Sequence, residues 1–201
     1  MATDTGYPEV SGRMAVIALQ DNEHTSTPAT DIQIYNNFAK NVANMLQMKG
    51  GDGWVVKHNT TINDLPVANA YHVAVVLEGI PSTNWTFRDN IVGYSNYGMS
   101  CSIDGKLGTC WPNGIFQNNV AVDFVQGGFD TRTWGGSGIL SLVPRSFAQI
   151  GFVDASKDNY RLAPSSPYKG KASDGSDPGV DMGALVAALA GVTKPSAGEL
   201  F

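Results

Sequence analysis

Four short segments of the chain share one pattern of apolar and polar positions, and each ends in asparagine. They run over 32–37, 54–59, 85–90 and 114–119. The third residue before each asparagine is large and apolar: Ile34, Val56, Phe87 and Phe116. The second residue before it is polar: Tyr35, Lys57, Arg88 and Gln117. This alternation with a period of two is typical of a strand with one buried face.

The asparagines themselves recur at intervals of 22, 31 and 29 residues, at Asn37, Asn59, Asn90 and Asn119. A repeat of that length is typical of a stacked solenoid. Asparagine tolerates the left-handed backbone conformation that a sharp corner requires, and its amide both donates and accepts hydrogen bonds. The sequence therefore predicts that the four asparagines stack in an inward-facing ladder at one corner of the coil.

Two further strands complete each predicted coil. A short apolar segment follows each asparagine, at 38–39, 60–62, 91–92 and 120–122. A third strand follows a loop, at 44–49, 71–78 and 97–104, with an earlier copy at 13–20 and a weaker one at 124–129. In the third strand, alternation predicts that Met99, Cys101 and Ile103 point inward. Trp54 and Trp85 occupy equivalent positions and are predicted to stack in the core.

These rungs, with the signature apolar-x-apolar-x-x-Asn-apolar, resemble the right-handed parallel β-helix proteins of the pectate-lyase-like superfamily. The tail is similar to that of secreted bacterial proteins of this kind, in Phe-Val-Asp at 152–154, Tyr-Arg-Leu at 160–162, Ser-Ser-Pro at 165–167 and the Asp-Gly-rich run 174–184. The resemblance implies an all-β fold, a right-handed parallel β-helix of four to five coils with three strands each over 1–151. Residues 152–201 form a C-terminal tail and capping helix on the same domain.

The capping helix is predicted over 181–190, where Met182, Leu185, Val186 and Leu189 fall on one face. Asp177 or Asp181 would cap its N-terminus. We expect the helix to cover the last coil, because an open coil end promotes association. No corresponding N-terminal cap is apparent, so residues 1–12 either fold over the first coil or leave it free to form a homodimer.

Composition narrows the functional classes. Charged residues are 15% of the chain, the net charge is −5 and no basic run occurs, which argues against nucleic acid or an anionic membrane as a partner. No apolar stretch is long enough to span a membrane, and the N-terminus lacks the features of a signal peptide. We expect an extracellular or periplasmic protein whose signal has been removed; the alternative is that the sequence begins inside a longer solenoid.

The chain has two cysteines, Cys101 and Cys110. A disulfide between them would close a short loop in an oxidising compartment. The alternative is that Cys101 acts as a small buried hydrophobe and Cys110 is an unrelated loop residue.

The resemblance places catalysis and sugar binding on the outer face of the third strand type. Carried over by position, this gives outward residues near the strand ends: Asp21, Lys49, Glu78 and Asp104. On neighbouring coils, Glu78 and Asp104 would lie roughly 5 Å or about 7–9 Å apart, the separations of retaining and inverting glycosidases. Lys49 would act as the base of a lyase or as the ion-pair partner of Glu78. The alternative is a solvated strand face.

Substrate contacts are predicted from aromatic and outward polar residues. Trp111 and Trp134 fall in loops, where exposed indoles would stack on sugar rings or pin the loops, and His72 and Asp21 lie on the same outer face. On the second strand type, Lys57 over Arg88 forms a small basic row that would bind an acidic sugar or remain solvated. His58, beside a ladder asparagine, is interpreted as structural or exposed.

No cofactor is predicted, although Ca²⁺ remains an alternative. Its ligands would be the tail carboxylates Asp174, Asp177 and Asp181, which lack the spacing of a calcium loop and favour turn and cap roles. The chain contains none of the active-site motifs of polygalacturonases or pectate lyases. The expected function is a secreted polysaccharide-active protein, a glycoside hydrolase or polysaccharide lyase with a glycan as partner. The alternative is a non-catalytic glycan-binding or scaffold module.

Overall fold

The computed structural model describes residues 14–18, 29–40, 42, 44–62, 73–77, 79–94, 98–123, 144 and 146–190. In chain order the strands are β1 Met14–Ala18, β2 Gln33–Tyr35, β3 Phe38–Lys40, β4 Asn44–Met48, β5 Gly51–Asp52, β6 Val55–Lys57, β7 Thr60–Ile62, β8 Val73–Leu77, β9 Ser82–Thr83, β10 Thr86–Arg88, β11 Ile91–Tyr94, β12 Gly98–Cys101, β13 Ile115–Gln117, β14 Val120–Asp123, β15 Phe152–Asp154 and β16 Asn159–Leu162. The helices are α1 Leu107–Cys110, α2 Met182–Leu189 and two 3-10 turns, Phe147–Ile150 and Ala155–Lys157.

Twelve of these strands form three parallel four-stranded sheets. Sheet 1 has the order β1-β4-β8-β12, sheet 2 the order β2-β6-β10-β13 and sheet 3 the order β3-β7-β11-β14. Within a sheet, each strand pairs with the equivalent strand of the next repeat, so that Lys57 pairs with Tyr35 on one side and Arg88 on the other. The all-β class and the parallel pairing predicted from the repeat are confirmed.

A column of three indoles lies in the main core, between the sheets. Trp85 packs between Trp54 and Trp111, with ring centroids 6.4 and 6.0 Å away. Apolar residues from all three sheets surround them, including Ile34, Val56, Phe87, Leu46, Met48, Val75, Leu77, Met99, Cys101, Val92 and Ala121. The predicted inward positions of Trp54, Trp85, Met99 and Cys101 are therefore confirmed.

The third strand type ends earlier than predicted. β12 stops at Cys101, and residues 102–104 form a turn. Ile103, expected to point inward, is 38% exposed. A disulfide joins Cys101 to Cys110, with the Cα atoms 5.7 Å apart, and closes the loop that contains α1. The backbone N–H of Gly105 donates to the carbonyl oxygen of Cys101 (3.1 Å) and closes a turn over these residues, so the strand alternation does not continue through 103.

The predicted asparagine ladder is present. The Nδ2 group of Asn59 donates to Oδ1 of Asn90 (3.0 Å), and that of Asn90 donates to Oδ1 of Asn119 (3.0 Å). Asn37 donates in the same way to Asn59 (2.9 Å). Each ladder oxygen also accepts the backbone N–H of the asparagine before it, so side chains satisfy backbone groups that the corner would leave without partners.

The left-handed conformation lies one residue earlier than predicted. At this corner, the residues with positive φ are those that precede the ladder asparagines: Asn36, His58, Asp89 and Asn118, with φ of 55°, 51°, 57° and 52°. The ladder asparagines are not among the positive-φ residues. Two neighbouring residues therefore meet the two needs of each corner, a left-handed backbone and hydrogen bonds to the next coil. One residue turns the backbone and projects its side chain outward, and the next closes the hydrogen bonds inside.

The C-terminal part of the chain packs on the outer face of sheet 3. Phe38, Ile62, Ile91, Val120 and Val122 of this sheet form a second apolar cluster. The tail contributes Tyr160, Leu162, Tyr168 and Val180 to the same cluster, and the 3-10 turn before it contributes Phe147 and Ile150. Tyr160 stacks on Phe38, with ring centroids 4.7 Å apart, and Lys40 forms an ion pair with Asp158 (3.0 Å). The tail therefore buries apolar side chains that the three-sheet arrangement alone would expose.

The helix α2 forms where predicted, but it does not cover the last coil. Asp181 accepts hydrogen bonds from the backbone N–H groups of Gly183 (2.8 Å) and Ala184 (3.0 Å), which confirms it as the cap. The N–H of Asp181 donates to Asn36, which places the start of the helix at the first corner. Met182 and Leu185 are partly buried, whereas Val186 is 58% exposed. The expectation of a cover on the last coil is therefore wrong.

Several predictions lie outside the described residues, namely the folding of 1–12 over the first coil and the strand at 124–129. No helix among the described residues is long and apolar enough to cross a membrane. The division into 1–151 and 152–201, and a homodimer through the first coil, stay predictions.

Candidate binding surface and cleft

The outward side chains of the corner form a track that holds the tail. The N–H of Asp181 donates to Oδ1 of Asn36 (2.7 Å), and Nδ2 of Asn118 donates to the carbonyl oxygen of Lys171 (3.0 Å). Between these ends, His58 Nε2 lies 3.0 Å from a carboxylate oxygen of Asp174. Since each contact uses the residue of positive φ, the corner that turns the coil also positions the tail.

Asp89 is the most buried contact of this track. Its carboxylate, 1% exposed, accepts hydrogen bonds from the backbone N–H and the hydroxyl group of Ser173, both at 2.6 Å. His58 Nε2 and Arg88 Nε each lie 3.8 Å from its Oδ2 atom. A buried carboxylate is stable only when hydrogen bonds and neighbouring cations compensate for its lost hydration. The tail residue Ser173 supplies two of these interactions.

The contact between corner and tail also leaves a cleft of about 470 Å³. Its walls come from the corner, the hairpin β15–β16 and the start of α2. The lining residues are His58, Val153, Tyr160, Arg161, Leu162, Lys169, Ser176, Asp177, Pro178, Gly179, Val180, Asp181 and Met182. A volume in this range suits a small organic ligand.

Most charges in the cleft are already compensated within the protein. Lys169 forms an ion pair with Asp177 (2.6 Å), whose other oxygen accepts the N–H of Gly170 (2.9 Å). Asp181 uses Oδ1 to cap the helix. The exposed guanidinium of Arg161 differs, because it makes no ion pair with any described carboxylate. It lies beside Gly183, where an added Cβ would be 3.8 Å from Nη2.

A second polar surface lies on the outer face of sheet 2. The strand register aligns Tyr35, Lys57, Arg88 and Gln117 in one row across four strands. Tyr35 is 58% exposed and Lys57 is half-buried, and the ammonium group of Lys57 has no ion-pair partner among the described residues. Arg88 donates to the Ser173 hydroxyl (3.3 Å), so one cation of the row is tied to the tail and the other is free.

The predicted catalytic residues do not assemble into a described site. Glu78 lies outside the described residues. Asp104 accepts hydrogen bonds from the N–H of Lys106 and the hydroxyl of Thr109, both at 3.0 Å, and the backbone hydrogen bond is the main cause that lowers its pKa. Lys49 is half-buried after β4, and its Cε lies 3.4 Å from where a Cβ on Gly79 would be. Asp104 therefore serves as a turn carboxylate, and a lowered pKa is opposite to what a general acid needs.

Of the predicted substrate-binding residues, only Trp111 is described. It is 1% exposed and packs against Trp85 and, edge-on, against Phe116, with a centroid distance of 6.3 Å to the latter ring. Its ring is therefore not available to stack on a ligand, contrary to the expectation of an exposed loop indole. Trp134, His72 and Asp21 lie outside the described residues.

Each of the three tail carboxylates considered as an alternative Ca²⁺ site already interacts with a different group of the protein. Asp174 bonds to His58 and Ser176, Asp177 to Lys169 and Asp181 to the helix N-terminus. No group of three metal-binding side chains occurs among the described residues. Hydrogen bonds from Ser176, followed by the charge of His58, lower the pKa of Asp174 to about 2.

Sequence reasoning missed the cleft and Arg161. The Tyr-Arg-Leu motif of the tail contained the signal, because alternation in β16 buries Tyr160 and Leu162 and leaves Arg161 exposed. Nothing in the sequence indicated where the hairpin would dock. Comparisons of the chain with protein-family models, curated proteins and solved structures find no match.

Proposed function

We propose that the chain is a right-handed parallel β-helix that works outside the cell as a non-catalytic binding module for an acidic polysaccharide. The observation that carries the proposal is the row Tyr35, Lys57, Arg88 and Gln117 on the outer face of sheet 2. Three parallel sheets that each receive one strand per repeat, with an asparagine ladder at one corner, support the β-helix. The Cys101–Cys110 disulfide supports an oxidising compartment.

The row has the chemistry and the length for an extended chain of uronate residues. Neighbouring parallel strands are about 4.8 Å apart, so four strands offer a binding element at intervals comparable to the rise of one sugar residue. A free ammonium on Lys57 would pair with a carboxylate, Tyr35 would stack on a ring face and Gln117 would bond to hydroxyls. Because the row is open to solvent, each contact is weak and sensitive to salt.

Binding is favoured over catalysis because of Asp104. Glycoside hydrolysis needs one carboxylic acid with a raised pKa and a second, ionised carboxylate. Turn hydrogen bonds lower the pKa of Asp104, which does not suit the acid, and they already engage both of the oxygens that the second carboxylate would use. The alternative is a glycoside hydrolase or lyase centred on Glu78, Asp104 and Lys49, and the experiment must distinguish binding from cleavage.

The test is calorimetric titration with polygalacturonate and with a neutral glucan, at low and high salt, together with assays for reducing ends and for unsaturated products. We expect saturable binding of the polyuronate alone, weakened by salt, without cleavage. Lys57→Gln should weaken it about tenfold, roughly 1.4 kcal/mol. Lys49→Gln, the matched control on sheet 1, should leave it unchanged.

Two outcomes overturn this proposal. Equal affinity for the neutral glucan, or none for the polyuronate, removes the acidic glycan as ligand. Cleavage that disappears in Glu78→Gln or Asp104→Asn establishes the enzymatic alternative instead.

A further inference from the structure

We propose that the cleft between the corner and the tail is a second binding site, which takes a single hexuronate residue and holds its carboxylate with Arg161. This inference extends the proposed function to a separate surface: the row on sheet 2 would hold the polymer, and the cleft would hold a sugar acid or the end of a chain. The cleft of about 470 Å³ has room for one pyranose ring with its substituents.

The anchor of this site is the guanidinium of Arg161. It is exposed on the cleft wall, and no described carboxylate forms an ion pair with it. A planar guanidinium binds a carboxylate through two parallel hydrogen bonds, which fix both position and orientation. The other nitrogen-bearing side chains on the wall are less available, because Lys169 forms an ion pair with Asp177 and His58 lies within hydrogen-bond distance of Asp174.

Acceptors for sugar hydroxyls lie on the same wall. Asp181 uses Oδ1 for both helix N–H groups, which leaves its Oδ2 atom without a partner among the described residues. The hydroxyl of Ser176 donates to Asp174 and keeps acceptor capacity. A carboxylate that remains hydrated until a ligand arrives accepts hydrogen bonds from vicinal hydroxyls at little cost.

Apolar side chains complete the surface that a ring would contact. Val153 is exposed and Met182 is half-buried on the cleft wall. The C–H face of a pyranose ring would pack on such a surface. The carboxylate of Asp181, whose Oδ2 atom has no partner among the described residues, disfavours a doubly charged phosphate, because one guanidinium would face two charges beside this anion. A singly charged carboxylate on a hydroxylated ring fits this balance.

The experiment is a titration of the ¹⁵N-labelled full chain with galacturonate, followed by two-dimensional NMR. We expect saturable shifts of the Arg161 Nε–H signal and of the Gly179, Val180 and Asp181 amides, at galacturonate concentrations well below those that shift the sheet 2 row. Glucose should bind at least tenfold more weakly because it lacks the carboxylate. Arg161→Gln should also weaken galacturonate binding at least tenfold, whereas Arg161→Lys should retain part of the affinity.

Controls separate this site from the row and from misfolding. Lys106→Gln, at an exposed lysine outside both proposed surfaces, should bind galacturonate as the parent does, and both Arg161 variants should keep the parent's amide spectrum away from the cleft. Absent shifts at the cleft, unchanged affinity in Arg161→Gln, or tighter binding of inorganic phosphate would each overturn the inference. If the parent binds galacturonate at the cleft but does not bind the polymer, the proposed function is wrong and the cleft site stands. If it binds the polymer but not galacturonate at the cleft, the cleft site is wrong and the proposed function stands.

Discussion

At the scale of single residues, each corner combines two neighbouring roles. The residue of positive φ turns the backbone, and the asparagine after it closes hydrogen bonds to the next coil. Three of the four turning residues are Asn or Asp, which tolerate the left-handed conformation through short polar side chains. His58 is the exception, and it is also the corner residue that lines the cleft and contacts Asp174. Its ring therefore meets a requirement of the outer surface at some backbone cost.

The ladder residue with buried partners on both sides should be the most sensitive to substitution. Asn90 accepts from Asn59 and donates to Asn119 and to the carbonyl oxygen of Val56. Asn90→Ala would leave several buried polar groups without partners, at about 1–3 kcal/mol each, and should lower the free energy of unfolding by about 3–5 kcal/mol. Urea denaturation measures this value.

Asn37→Ala is the matched control. Asn37 is exposed at the end of the same ladder, and Oδ1 of Asn59 keeps the backbone N–H of residue 37 as a donor after the substitution. The expected loss is about 1 kcal/mol. Equal losses at the two positions would contradict the ladder as a buried, mutually dependent network.

At the scale of elements, the tail acts as a lateral cover. It runs from Asn118 at one end of the corner track to Asn36 at the other, and its apolar residues bury the outer face of sheet 3. The close approach at Gly179 shows how tightly it docks. A Cβ there would lie 2.5 Å from the hydroxyl of Thr60, and the φ of 84° favours glycine. The tail thus completes the fold.

Tail docking should depend on acid pH through Asp174. Its pKa falls to about 2 in the folded protein from an ordinary 3.8, so the folded state favours the ionised form. A depressed folded pKa contributes stability that is fully present above the unfolded pKa and is lost as pH falls through the folded value. The difference in unfolding free energy between the parent and Asp174→Asn should therefore be largest above about pH 5 and be much reduced at pH 2, where about half of the folded protein still carries the ionised carboxylate.

Urea denaturation at pH 6, 4 and 2 checks this dependence. Ser176→Ala removes the hydroxyl that lowers the pKa of Asp174 most. When Asp174→Asn is made in the Ser176→Ala protein, the resulting change in unfolding free energy should therefore vary less with pH. A parent-to-variant difference that persists undiminished at pH 2 would show that the Asp174 carboxylate contributes nothing through its charge.

The elements that the sequence predicted correctly are those determined by interactions between residues close together in the chain. Alternation and the asparagine spacing are local signals, and they located the strands of sheets 2 and 3 and the stacking of Trp54 on Trp85. The placement of α2 was wrong because the docking of the tail depends on contacts such as Asp181 with Asn36, across 145 residues. The exposure expected for Trp111 failed similarly, since the stacking of its ring on Trp85 is a tertiary contact without a local pattern.

At the scale of the whole molecule, one corner connects the two proposed binding surfaces. Lys57 ends a strand of the sheet 2 row, and His58, the next residue, lines the cleft. A polysaccharide on the row would therefore approach the cleft at the same coil. The rigid stacking of parallel strands fixes both surfaces relative to one another, which is what a binding module for a long, flexible polymer requires.

The most direct measurement of the central claim is NMR shift mapping of the ¹⁵N-labelled chain with a galacturonate oligosaccharide of four to six residues. The Tyr35, Lys57, Arg88 and Gln117 signals should shift, saturate together and return toward their free positions with added salt. Shifts centred on Lys49 and Asp104, on the side of sheet 1, or no saturable shift at the row, would contradict this claim.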